Sequence, residues 1–191
     1  MKNGKSTLTV IVVLLLVAVF WFFGTRNSLV SLKEDVEMQQ AQVETTLQRR
    51  SDLIPNLVET VKGYASHEED VFTEIAEARS KLAGSIESGD MESINEANNA
   101  LDSALGRLLA ISENYPTLEA SDQFIALQDE LAGTENRIAV ARQYYNESVR
   151  TFNTKVQKFP TSIVASMSGY YPMPYFEADA DAQEAPVVSF D

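Results

Sequence analysis

Cysteine is absent from the 191 residues, and histidine occurs once, as His67. Without thiols there is no disulfide framework, no thiolate zinc cage, no iron–sulfur cluster and no cysteine nucleophile, whichever compartment the chain occupies. One imidazole cannot serve the two E-x-x-H helices of a di-metal bundle site. His67-Glu68 opens like H-E-x-x-H, but Val71 stands where the second histidine belongs, so a turn or cap role is assigned to His67. Basic charge is also scarce: 15 Lys and Arg face 28 Asp and Glu, a net charge of −13, with no block of five or six consecutive like charges. Phosphate neutralisation needs clustered cations, so nucleic acid is excluded as a partner. Strand-like alternation is missing too, and no catalytic constellation or cofactor motif stands out. The expectation is therefore no enzyme, no cofactor, no metal and no small-molecule substrate. Two weak motifs reduce to background. Glu177, Asp179 and Asp181 alternate like a calcium loop but lack its glycine and terminal glutamate, and Asn146-Glu147-Ser148 is a sequon lying mid-helix.

What the sequence does contain begins with Leu8 to Phe23, sixteen residues without a charge. With Ser6, Thr7, Gly24 and Thr25 the stretch spans roughly 30 Å as a helix, enough for one pass across a bilayer. Lys2 and Lys5 ahead of it would also suit a signal peptide. However, the run ends in Phe20-Trp21-Phe22-Phe23, bulky rings in place of the small residues a signal peptidase requires, and rings suit an interfacial belt. These features favour a retained anchor over a cleaved signal peptide. Lys2, Lys5 and the amino terminus against Arg26 and Lys33 lean only faintly towards a cytoplasmic N-terminus. Beyond the run lie 13 basic and all 28 acidic residues, so the acidic part is the soluble part.

From Leu29 the apolar residues fall in three- and four-residue steps: Leu29, Leu32, Val36, Val43, Leu47, Ile54, Leu57, Val58, Val61, Tyr64 and Ala65. This spacing predicts a long helix. Ser31 and Glu34 have capping-box spacing at its start, and Gln39 and Gln40 occupy a missing core step. Pro55 predicts a kink or a new start after Ser51 and Asp52, and the continuous phase from Leu47 to Ile54 favours the kink. Ser66 and Glu69 form a second box ahead of a helix carrying Phe72, Ile75, Leu82 and Ile86, which Ser88-Gly89-Asp90 ends. A third helix runs from Met91 to about Asn114 with Ile94, Ala97, Leu101, Leu105, Leu108 and Ile111 on one face, and stops at Tyr115-Pro116. The last carries Phe124, Leu127, Leu131, Thr134, Ile138, Ala141, Tyr145, Val149, Phe152, Val156 and Phe159 from Ser121 to Pro160.

The predicted fold is all-α: an N-terminal transmembrane helix over 1–28, an elongated antiparallel four-helix bundle over 29–166, and an extended aromatic and acidic tail over 167–191. The aromatics Tyr170 to Phe176 either dock, on the bundle or the membrane surface, or stay mobile. Polar residues border the stripes: Gln48, Arg49, Arg50, Asp52, Asn56 and Glu59 in the first helix, and Glu135, Asn136, Arg137, Arg142 and Asn146 in the last. The ordinary reading is an interhelical network of Arg–carboxylate and Asn pairs that fixes helix register, and the sharper one is a partner surface. In the network reading Glu135 and Arg142, seven residues apart, meet charges of the first helix.

The strings LQRRSDLIPNLVETVKGYASHE (Leu47 to Glu68) and YPTLEASDQFIALQDELAGTENRIAVARQYYNESVRTFN (Tyr115 to Asn153) resemble the signatures of the LemA family. KFPTSIVAS (Lys158 to Ser166), PYFE (Pro174 to Glu177) and APVVSF (Ala185 to Phe190) resemble its ending, in the same order. The chain departs where members usually carry a Tyr-Asn pair and a first-helix Trp, having Arg26-Asn27 and Met38-Gln39-Gln40 instead. The resemblance implies a bacterial protein with an N-terminal anchor in the inner or plasma membrane and a LemA-like helical-bundle domain. Family genes often neighbour a membrane zinc protease or stress-response functions, and a relative occurs in magnetosome membranes. By analogy, the resemblance implies an envelope-associated scaffold that engages the bilayer through Leu8 to Phe23 and a protein partner or a second copy of itself. The alternative it implies is an adaptor or regulator of a membrane protease.

Overall fold

The computed structural model describes residues 2–65 and 67–176, with side chains from Leu8 onward. The expectations placed on Ser66, Glu177, Asp179, Asp181 and the string 185–190 lie outside the described residues. Among the described residues every regular element is helical: α1 Lys2–Lys62, α2 Glu69–Ser88, α3 Met91–Ser112, α4 Pro116–Glu119, α5 Asp122–Gln157 and α6 Thr161–Met167. The short helices α4 and α6 were not anticipated. The chain divides into two compact units, one of Met1–Gln39 with Asn146–Met173, the other of Gln40–Tyr145 with the segment from Pro174.

α1 starts with a candidate membrane span, its apolar residues unburied by the rest of the protein. It does not restart at Ser31 and Glu34, which lie inside the helix, so the capping box expected there does not form. In the first unit Leu29 and Val36 are the first fully buried residues of α1, joined there by Val149, Phe152 and Val156 of α5 and by Val164 and Ala165 of α6. Phe152 meets Tyr170 edge to face, with centroids 6.2 Å apart. Asn153 donates to the Met173 carbonyl and accepts from the Met173 N–H, both at 2.8 Å.

In the second unit the α1 stripe continues through Val43, Leu47, Ile54, Leu57 and Val61, all fully buried or nearly so. Each such side chain contributes about 1.5–3 kcal/mol relative to exposure, which explains why the three-and-four spacing dictates this helix. The stripe reaches Ala65, which is buried just past the end of α1. α1 stops at Lys62 and α5 at Gln157, so Tyr64 and Phe159, expected on the buried faces, are exposed. Pro55 does not break α1, which excludes a new start. Its missing N–H leaves the Ser51 carbonyl without its i+4 donor, and Arg79 of α2 supplies one, Nε to oxygen at 3.0 Å.

α2 closes at Gly89, whose left-handed φ of 67° an L side chain rarely adopts. Asp90 then caps α3 by accepting from the Ser93 N–H at 3.0 Å. The Ser93 hydroxyl and N–H hold the Asp90 carboxyl below its ordinary value. Ion pairs join the early part of α2 to the late part of α3, Glu74 with Arg107, and the reverse, Lys81 with Glu96. Gln40 donates to the Gly89 carbonyl at 2.9 Å, which gives the polar break in the α1 stripe a structural purpose.

Candidate functional site

The polar cluster of the second unit is built on Arg50. It lies within the α1 stripe itself, three residues after Leu47 and four before Ile54, and its side chain is only 10% exposed. A guanidinium at a core step must be paired. Arg50 contacts Asp102 of α3 at 2.5 Å and Glu135 of α5 at 3.0 Å. Asn98 completes the cluster, accepting from Arg50 at 3.4 Å and donating to Asp102 at 2.9 Å. One cation against two carboxylates leaves the cluster net negative, with Glu135 half-exposed at its edge. Beside it lies a cavity of about 330 Å³ walled mainly by Leu57, Leu105, Leu109, Leu131 and Ala132, with Arg50 and Glu135 at its polar end.

Of the residues selected from the sequence, Arg50 and Glu135 meet across helices. Arg49 pairs with Glu130 at 3.1 Å on the surface. Asp52 accepts from Gln48, and Glu59 pairs with Lys62, each within one turn of α1. Asn56 and Glu59 line an open groove with Tyr64, Gln123 and Glu130. Asn136 and Arg137 are exposed, and Asn146 is half-buried. Of the pair seven residues apart, Glu135 meets Arg50 of α1, and the Arg142 guanidinium lies 4.3 Å from the centre of the Phe176 ring.

Sequence reading missed Asp102, Asn98 and Arg79, and left the docking of Phe176 open. Arg50 carried a readable signal, a charge on the core phase of an apolar stripe. The others meet their partners only in three dimensions. Phe176 is buried, so the tail docks on α5 through its last described residues, and the Tyr145 hydroxyl donates to the Pro174 carbonyl at 2.9 Å.

Burial pushes the Tyr145 phenol up to about 12. The folded state therefore holds this proton more tightly than the unfolded chain. Its contribution is complete below the ordinary tyrosine value and is lost as pH rises from about 10 to about 12. Urea unfolding at rising alkaline pH should show about 2 kcal/mol of this loss in the parent and not in Tyr145→Phe. Equal slopes in the two proteins would refute the assignment.

The magnetosome protein MamQ 2 of Paramagnetospirillum magneticum is 26% identical, the match covering 98% of this chain and 79% of that one. The magnetosome protein MamQ of Magnetospirillum gryphiswaldense is 28% identical over 85% of this chain and 68% of its own. The protein LemA of Metamycoplasma hominis is 26% identical over 86% and 75%. The LemA family model matches residues 39–190, most of the sequence beyond the apolar run, and the chain belongs to the LemA family.

Proposed function

We propose that the chain is a single-pass membrane protein held by Leu8 to Phe23, whose four longer helices form an antiparallel bundle. In this reading the bundle acts without catalysis, as an interaction or scaffolding module at the bacterial cell envelope. The observation that carries the reading is the continuity of α1. One helix bears the exposed apolar stretch and then, without interruption, the stripe that organises both compact units. Such a helix transmits position from bilayer to soluble part with no flexible linker. Relatives that are themselves magnetosome proteins support a place at a bacterial membrane. The Arg50 cluster serves register in this account, and the exposed Arg49, Asp52, Asn56, Glu59, Asn136 and Arg137 remain for a protein partner or a second copy.

The test is alkaline washing of membranes followed by crosslinking and gentle solubilisation of the full chain. The parent should resist the wash and crosslink to a fixed set of proteins, a membrane protease among the informative outcomes. Leu16→Arg, which puts a charge near the middle of the apolar stretch at about 2.5–3.5 kcal/mol, should move a large fraction into the wash. A parent chain released by the wash would overturn the anchor.

A further inference from the structure

The acidic character of the chain is interrupted between Glu147 and Glu177. From Ser148 to Phe176, 29 residues, there is no Asp or Glu, while Arg150, Lys155 and Lys158 fall within nine positions. In the first unit these three cations line one open groove of about 540 Å³ with Thr151, Thr154 and, from α1, Ser28 and Leu32. Glu147 pairs with Arg150 at 2.6 Å, which leaves the groove net positive.

Its height on α1 is informative. At 1.5 Å per residue Ser28 stands about 7.5 Å beyond Phe23 and Leu32 about 13.5 Å. The headgroup layer reaches roughly 5–8 Å past the hydrocarbon core. The lower edge of the groove is therefore at phosphate level if Phe23 marks the core boundary. Three large apolar side chains follow directly: Phe159, Ile163 and Met167 are 76%, 51% and 72% exposed. Their four-residue spacing puts Ile163 and Met167 on one face of α6, while Val164 and Ala165 pack inward. An exposed apolar face beside lysines, in the same compact unit as the anchor, has the composition of an element that lies in a membrane interface.

We infer that α6 and the end of α5 form a second membrane contact. Phe159, Ile163 and Met167 enter the interface, and the Arg150, Lys155 and Lys158 groove receives the phosphates of anionic phospholipids. The occupant follows from charge complementarity in a chain otherwise strongly acidic, and from continuity with the apolar anchor. The inference rests on the membrane reading proposed above. It adds a lipid-class preference and fixes the rotation of the first unit about α1.

Because the chain has no cysteine, single labels are clean. Full-length chains carrying Phe20→Cys, Ile163→Cys or Val140→Cys with an environment-sensitive fluorophore are reconstituted in phosphatidylcholine vesicles, with and without phosphatidylglycerol and a doxyl-lipid quencher. All three sites are exposed, so the fold is not at stake. The Phe20 label should be quenched in both lipids and the Val140 label in neither. The Ile163 label should be quenched mainly with phosphatidylglycerol, and Lys155→Gln and Lys158→Gln should each lower that preference about five-fold. Quenching at Phe20 but not at Ile163 overturns the second contact and leaves the anchor standing. An unquenched Phe20 label overturns both. A blue-shifted Ile163 label without lipid quenching means that a protein covers α6, and overturns the lipid assignment.

Discussion

Arg50→Ala is expected to cost about 3–5 kcal/mol, because it removes the buried cation that Asp102, Glu135 and Asn98 share. For a chain of this size that corresponds to a fall in unfolding midpoint of roughly 6–20 °C, followed by far-ultraviolet circular dichroism. Arg49→Ala, one residue away, removes only a solvated pair with Glu130 and should cost less than about 1 kcal/mol. The contrast between neighbours isolates burial as the cause. A second variant separates the charge from the packing. Arg50→Met with Asp102→Asn removes the cation and the more buried carboxylate together and should recover most of the loss, since a buried pair replaced by neutral groups of similar volume is often as stable. Similar melting of Arg50→Ala and Arg49→Ala would show that the cluster stabilises nothing.

The same residue measures how much of the molecule could be read in advance. The three-and-four spacing of α1 gave a helix and its buried face because periodicity is a local property, and Leu29, Val36, Val43, Leu47, Ile54, Leu57 and Val61 are all buried. Termini were less legible. Tyr64 and Phe159 keep the phase of their stripes but lie past Lys62 and Gln157, where the helices end. The Arg50 cluster was half legible, its α1 member marked by phase and its α3 members unmarked, since nothing in the α3 sequence distinguishes Asn98 and Asp102 from other polar residues. The rescue of the Ser51 carbonyl by Arg79 and the seating of Phe176 on Arg142 were not legible at all. Both are pairings between distant segments, fixed by how helices and tail pack and not by local pattern.

Phe176→Ala should undo the docking of the tail on α5. The ring is 2% exposed beneath the Arg142 guanidinium, so its removal forfeits burial and cation–π attraction together, about 3 kcal/mol or more if the segment stayed in place. The segment need not stay. It is extended and lies outside any helix, so it can lift away at a cost below that of global unfolding, and the midpoint should fall less than for Arg50→Ala. The sharper readout is Tyr145, which lies wholly buried with its hydroxyl on the Pro174 carbonyl. Lifting the tail hydrates the phenol, and its ionisation should drop from about 12 towards the ordinary value near 10. Alkaline absorbance titration, taken as the difference against Tyr145→Phe in each background, measures that drop. Arg142→Gln, which removes the cation but leaves the ring, should cost about 1 kcal/mol and move the titration little. If Tyr145 titrates alike in the parent and in Phe176→Ala, helix packing alone buries the phenol, and Phe176 does not hold the tail down.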